Sequence, residues 1–344
     1  MPVPASVSQG SLPELQAVQD AIATAGPYVE VRHAPAAGES GLPVYDLAFG
    51  NPSPHVPAVG FFGGVHGLER IGAQVVIAWL QVLAARLRWD EGLHRQLECV
   101  RVVVMPLVNP GGLLRHTRAN PNGVDLMRNA PVEATGPVPP LVGGQRISAG
   151  LPWYRGRAGS PMEPESSALC RVAERELHGR PFGLALDCHS GFGLHDRLWF
   201  PYAHSTRPIE HLPDLDALHE IFQETLPHHP YTFEPQSRLY LAHGDLWDHL
   251  YLRSLERDAG PFLPLTLEMG SWLWVKKNPR QLFTRVGIFN PLLAHRHQRV
   301  LRRHLALFDF LLRAAASAAR WLPLDAHERD ARRQAALRRW YGEP

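Results

Sequence analysis

The stretch Ala58-Val59-Gly60-Phe61-Phe62-Gly63-Gly64-Val65-His66-Gly67-Leu68-Glu69-Arg70 changes character in its middle. An apolar run gives way to a glycine-rich turn, and beyond Arg70 the apolar positions Ile71, Val75, Ile77, Leu80, Leu83 and Leu87 fit a helix packing on a sheet. A buried strand feeding such a helix is the repeating unit of an α/β fold. Gly63, Gly64 and Gly67 let the chain turn sharply off the strand, and the turn carries His66 and Glu69. With 19 histidines and 19 glutamates in 344 residues, about one His-x-x-Glu pair arises by chance, so the pair alone assigns no metal.

Runs rich in Val, Leu and Phe, bounded by Gly or Pro, recur at 100–108, 182–188 and 262–268 and read as further buried strands. Residues 163–177 predict a second helix with an acidic first turn, as the helix dipole prefers. Residues 129–152 are dense in Pro and Gly and read as a long surface loop, a feature that often lines a site. The pattern is helical again from 290 to 312. Residues 326–340 read as a charged helical tail whose arginine run, 329–339, forms a solvated face. The expected organisation is an N-terminal extension (1–40), one catalytic domain (41–320) and the charged tail (321–344).

The chain balances 35 basic against 33 acidic residues, a net charge of +2, which excludes the one-sided electrostatics of a nucleic-acid or membrane-surface protein. All but two of the basic residues, Lys276 and Lys277, are arginine, a compositional habit rather than a binding patch. The first 19 residues lack a basic region followed by an apolar stretch, and no apolar run reaches the roughly 18 residues of a membrane helix. A soluble cytoplasmic protein is the expectation. Three cysteines, Cys99, Cys170 and Cys188, are too few for a disulfide framework and read as small core residues of a protein in a reducing compartment.

Each strong strand ends in a polar residue foreign to a core: His66 after the first, Asn109 after the second, His189 after the third and Glu268 at the fourth. In open α/β sheets the crevice beyond the carboxyl ends of the strands is where ligands bind. His66, Glu69 and His189 form a two-histidine, one-carboxylate set that suits zinc with a fourth position open, against which stands a core histidine beside Cys188. Asp187 points to the same side of its strand as His189, while Cys188 points away. Glu268 ends an apolar run, where its carboxylate needs either a salt bridge or a role as general base beside the metal. Arg118 and Arg128 offer planar forks for a charged substrate terminus or a developing oxyanion, or they are surface arginines.

The order of these features is His66-x-x-Glu69, Asn109-Pro110-Gly111-Gly112, Arg118, Gly123-Val124-Asp125-Leu126-Met127-Arg128-Asn129, His189-Ser190 and Glu268. It resembles the carboxypeptidase A-like zinc carboxypeptidases over residues 58–270, with 123 residues from His66 to His189 and 79 from His189 to Glu268. The resemblance implies a three-layer α/β/α sandwich around a mixed, mostly parallel eight-stranded sheet. It also implies one Zn2+ per chain on His66, Glu69 and His189, with Glu268 as general base and Arg118 supporting the polarised carbonyl. Arg128 would pair with the substrate's terminal carboxylate, and Asp125 would hydrogen-bond a ligating histidine. Tyr240, in Leu239-Tyr240-Leu241-Ala242-His243-Gly244, would close over the substrate. Tyr154-Arg155-Gly156 with Glu163-Pro164-Glu165 also resembles the family pattern.

Three positions depart from that pattern: Met127 replaces an asparagine that helps to hold a terminal carboxylate, Gly111 an aspartate and Met162 a serine. Specificity would be set near the end of the tyrosine segment, where Asp245, Trp247 and Asp248 are the candidates. The expected activity is zinc-dependent hydrolysis of a C-terminal peptide bond in a peptide or small amide with a free carboxylate. Two alternatives stand beside it: a deacylase or amidase of N-acyl amino acids or cell-wall peptides, resembling the desuccinylase and aspartoacylase relatives, and an inactive zinc-binding interaction module.

Overall fold

The structure, a computed structural model, describes residues 12–38, 41–191, 193–257 and 259–342. Helix α1 (Pro13–Ala25) precedes strands β1 (Glu30–Pro35), β2 (Pro43–Gly50) and β3 (Ala58–Gly63). Helices α2 (Arg70–Arg86) and α3 (Glu91–Leu97), strand β4 (Arg101–Met105), and helices α4 (Pro110–Arg115) and α5 (Pro164–Glu176) follow. The second half runs β5 (Gly183–Gly191), β6 (Arg197–Phe200), α6 (Leu212–Thr225), β7 (Thr232–Pro235), α7 (Leu246–Leu255) and β8 (Phe262–Gly270). It closes with α8 (Trp272–Lys277), α9 (Arg285–Phe289), α10 (Ala294–Ala316) and α11 (Ala326–Ala336).

The eight strands form one mixed sheet in the order β1-β2-β4-β3-β5-β8-β6-β7. Its centre, β4-β3-β5-β8, is parallel, so the carboxyl ends of four strands share one edge. Helices cover both faces because neighbouring side chains of a strand point in opposite directions. Phe61 packs on Trp79 of α2 and Phe308 of α10, at ring separations of 4.4 and 4.7 Å, while Phe62 meets Trp247 of α7 at 4.9 Å. Both faces being covered, the central strands carry mostly apolar runs rather than a strict alternation, with polar residues gathered toward the carboxyl ends of β5 and β8, and β3 and β4 are buried at every position. The expected three-layer α/β/α sandwich is the observed architecture.

The ends of the chain differ from the sequence reading. Residues 1–11, 39 and 40 of the expected extension lie outside the described residues, but 13–35 belong to the fold: α1 packs on α2, and β1 is the sheet's edge strand, antiparallel to β2. Over its described residues the tail is also docked rather than solvated; residues 343 and 344 lie outside them. Arg329 forks onto the buried Asp214 of α6 with both contacts at 2.8 Å, Arg332 and Arg339 reach Asp216, and the Trp340 indole donates to the Phe233 carbonyl at 2.9 Å. Of the three free cysteines, Cys170 and Cys188 are core residues as expected, whereas Cys99 is exposed just before β4. Among the described residues no single helix is long and apolar enough to cross a membrane.

Candidate active site

The parallel centre of the sheet gathers the site. After β3 the chain turns at Gly64, whose φ of 67° suits a residue without a side chain. Gly67 has a different reason, since a Cβ there would lie 2.0 Å from the Gly112 backbone. This turn sets His66 and Glu69 against β5, where the Ser190 amide donates to Glu69 Oε2 at 3.1 Å. Asn109 does not reach the metal group: it caps α4 through the Gly112 amide and donates to the Val65 carbonyl, so it holds the turn in place.

His66, Glu69 and His189 are all buried, and their potential ligand atoms lie within 4.8 Å of one another. His66 Nδ1 is 2.9 Å from Glu69 Oε1, and His189 Nδ1 is 3.1 Å from Glu69 Oε2 and 3.2 Å from His66 Nδ1. The far nitrogens are engaged elsewhere, His66 Nε2 with Asp125 Oδ1 at 3.0 Å and His189 Nε2 with Asp187 Oδ2 at 2.8 Å. If each Nε2 donates to its carboxylate, each Nδ1 presents a lone pair to the same point as Glu69. Two imidazole nitrogens and a carboxylate oxygen, each imidazole braced by a carboxylate, are a donor set that fits zinc.

The charges of the group hold one another. Burial works against ionised Glu69, but the two histidines outweigh it and hold its carboxyl well below the usual value. Burial likewise opposes a charged His189, and Asp187 and Glu69 overcome it, raising that imidazole well above its ordinary range. Arg118 donates from Nε to Asp125 Oδ2 at 2.7 Å and from Nη1 to Glu69 Oε1 at 3.1 Å, which puts its guanidinium beside a metal ligand. Together Arg118 and His66 overcome the burial of Asp125 and hold it well below the carboxylate range.

Glu268 sits directly across from His189 in the β5–β8 pairing, with Arg197 opposite on β6. Among the described residues it has no ion-pair partner, and the nearby Arg197 pairs with Glu234 at 2.9 Å instead. Of the two readings left open by the sequence, the salt bridge is therefore not the one found. Burial, then the negative charge of Glu69, pushes the Glu268 carboxyl up to about 8. A Cβ at Gly191 would come within 2.1 Å of Glu268 Oε1, so a glycine is needed for the carboxylate to lie over β5.

Arg128 and Tyr240 lie together, with Arg128 Nη2 donating to the Tyr240 hydroxyl at 3.3 Å. Arg128 is 3% exposed, and among the described residues its Nε has no hydrogen-bond partner. The loop predicted at 129–152 is irregular and holds the tyrosine segment: Gly244 donates to the Val132 carbonyl at 2.7 Å and His243 to the Gly143 carbonyl at 2.8 Å. Arg155 supports Arg128 by donating to its carbonyl at 3.3 Å. Met127 is a core residue whose amide donates to Asp125.

The three specificity candidates are all engaged internally. Asp248 binds the backbone amides of Ala203 and His204 and the His204 ring. Asp245 caps α7 and lies 3.7 Å from Arg128 Nη1; burial and then Asp248 push its carboxyl up to about 7. Trp247 donates to Asp187 at 2.9 Å. Asp187 is a site residue to which the sequence assigned no role, although the strand alternation puts it on the side of His189, and Trp247, named there only as a specificity candidate, is its hydrogen-bond donor.

A mixed sheet that collects two braced histidines, a carboxylate and an unpaired glutamate at the carboxyl ends of its central strands defines a metal-centre α/β protein. The chain belongs to the zinc carboxypeptidase family, which it matches over residues 29–261, a span that ends before Glu268. Carboxypeptidase SOL1 of Arabidopsis thaliana is 32% identical to it over 75 residues, which is 22% of this chain and only 15% of that protein. Among solved structures, the fold is similar to carboxypeptidase A from Helicoverpa armigera, at a TM-score of 0.64 and 18% identity, covering 88% of this chain and 72% of that one. It is equally similar to thrombin activatable fibrinolysis inhibitor, at a TM-score of 0.64 and 19% identity, covering 87% and 72% of the two chains.

Proposed function

We propose that the protein is a zinc-dependent carboxypeptidase that hydrolyses the last amide bond of a peptide bearing a free carboxylate. Zinc bound by His66, Glu69 and His189 supplies Lewis acidity and a lowered pKa for water. Glu268 takes the proton of the attacking water and returns it to the leaving nitrogen. Arg118 donates to the carbonyl oxygen as negative charge develops there, and Arg128 and the Tyr240 hydroxyl hold the terminal carboxylate.

The observation that carries this reading over other hydrolases is Arg128, a buried guanidinium whose Nε has no partner among the described residues, three residues beyond the aspartate that braces His66. The burial of Met127 in the core favours a second reading, a deacylase or amidase with fewer carboxylate contacts. Release of C-terminal residues from peptides, measured beside hydrolysis of N-acyl amino acids, separates the two. Faster turnover of the N-acyl amino acids overturns the carboxypeptidase reading. A cytoplasmic setting is part of the same proposal, supported by the three free cysteines.

A further inference from the structure

The two metal-binding histidines are braced in different ways. Asp125, behind His66, also takes the charged Arg118, whose side chain is 19% exposed. Asp187, behind His189, takes a neutral donor instead: its Oδ2 accepts both His189 Nε2 at 2.8 Å and Trp247 Nε1 at 2.9 Å, and its Oδ1 is buried with no partner among the described residues. Asp187 is fully buried and Trp247 is 2% exposed.

Trp247 is itself fixed at both ends. Its amide donates to Asp245 Oδ1 at 3.0 Å in the cap of α7, and its ring stands edge-on to Phe62 of β3 at 4.9 Å. An indole N–H donates and never accepts. It therefore pins one carboxylate oxygen of Asp187 in position without bringing a positive charge to it, unlike Arg118 at Asp125. A pinned carboxylate orients the ring it binds and, by accepting at His189 Nε2, leaves Nδ1 facing the ion site.

We infer that Trp247 is a positioning residue of the metal centre: through Asp187 it orients His189 and sets how tightly the ion is held. The same turn of α7 carries Asp245, 3.7 Å from Arg128, so one helix end supports both the metal ligand and the expected substrate anchor. This link rests on the zinc reading of the site but not on the identity of the substrate.

The test is zinc affinity, read by competition with a chromophoric chelator, for the wild type, Trp247→Phe, Asp187→Asn and the double variant. Phenylalanine keeps an aromatic ring against Phe62 while removing the donor and part of the ring volume, and the double variant separates the two effects. Trp247→Phe is expected to weaken zinc binding by about 10-fold or more, within the range of such outer partners. The double variant is expected to be no weaker than Asp187→Asn alone, because Trp247 acts through Asp187. A structural role would instead weaken zinc binding by the same factor in both backgrounds. Wild-type affinity in Trp247→Phe, or full additivity in the double variant, overturns the link. A wild type that binds no zinc overturns the functional reading along with it.

Discussion

His189 and Glu268 face each other in register across the parallel strands β5 and β8, one a member of the metal group and the other without an ion-pair partner among the described residues. A carboxylate so placed can serve the reaction without holding the ion. Glu268→Gln is expected to keep one zinc per chain while turnover falls by roughly 100-fold or more. Metal analysis and single-substrate kinetics on the same preparation check both halves, and unchanged turnover would remove Glu268 from the mechanism.

The pH dependence follows from the same residue. Without metal, burial and Glu69 push the Glu268 carboxyl up to about 8 from a usual 4.5. A folded value above the unfolded one gives stability that is fully present below about 4.5 and is lost as pH rises through about 8. His189, also raised, acts in the same direction. The metal-free protein should unfold more readily in urea at pH 9 than at pH 6, and Glu268→Gln should shrink that difference. In the zinc enzyme the added positive charge draws Glu268 down, so the acid limb of kcat/KM should fall below pH 8 and vanish in Glu268→Gln.

Asp125 joins His66 to Arg118, one oxygen to each. Asp125→Asn is isosteric but offers an amide where one of these donors needs an acceptor. Zinc affinity is expected to fall about 10- to 100-fold, measured by chelator competition. Equal affinity in the variant would mean that His66 needs no brace.

The docked tail has a cost when it is disturbed. Asp214 is 1% exposed and takes both Arg329 contacts. Arg329→Ala leaves that carboxylate without its fork and is expected to lower stability by roughly 1–3 kcal/mol, read from the urea midpoint. No change would return the arginine run to the solvated face first expected of it.

The parts of the fold legible in the sequence were those buried on both sides. The expected strand 58–63 and the helix starting at 70 coincide with β3 and α2 because a continuous apolar run and a helical period leave little else to form. Strand β1 was missed because it is an edge strand, with no buried position and Glu30, Arg32 and His33 along it. Strands β6 and β7, four residues each, are too short to carry a pattern. The metal group was legible through its positions at strand ends. The Trp247–Asp187 bond joins residues 60 apart whose types carry no joint signal. The docking of Arg329 on Asp214 is a tertiary fact of the same kind.

The most direct measurement compares one peptide in two forms, with a free C-terminal carboxylate and with a C-terminal amide, using the zinc-loaded wild type. The account predicts release of the last residue from the acid, loss of that release when zinc is chelated, and little or no cleavage of the amide, because Arg128 and Tyr240 then lack their anion. Equal cleavage of acid and amide, or release that survives removal of zinc, would contradict it.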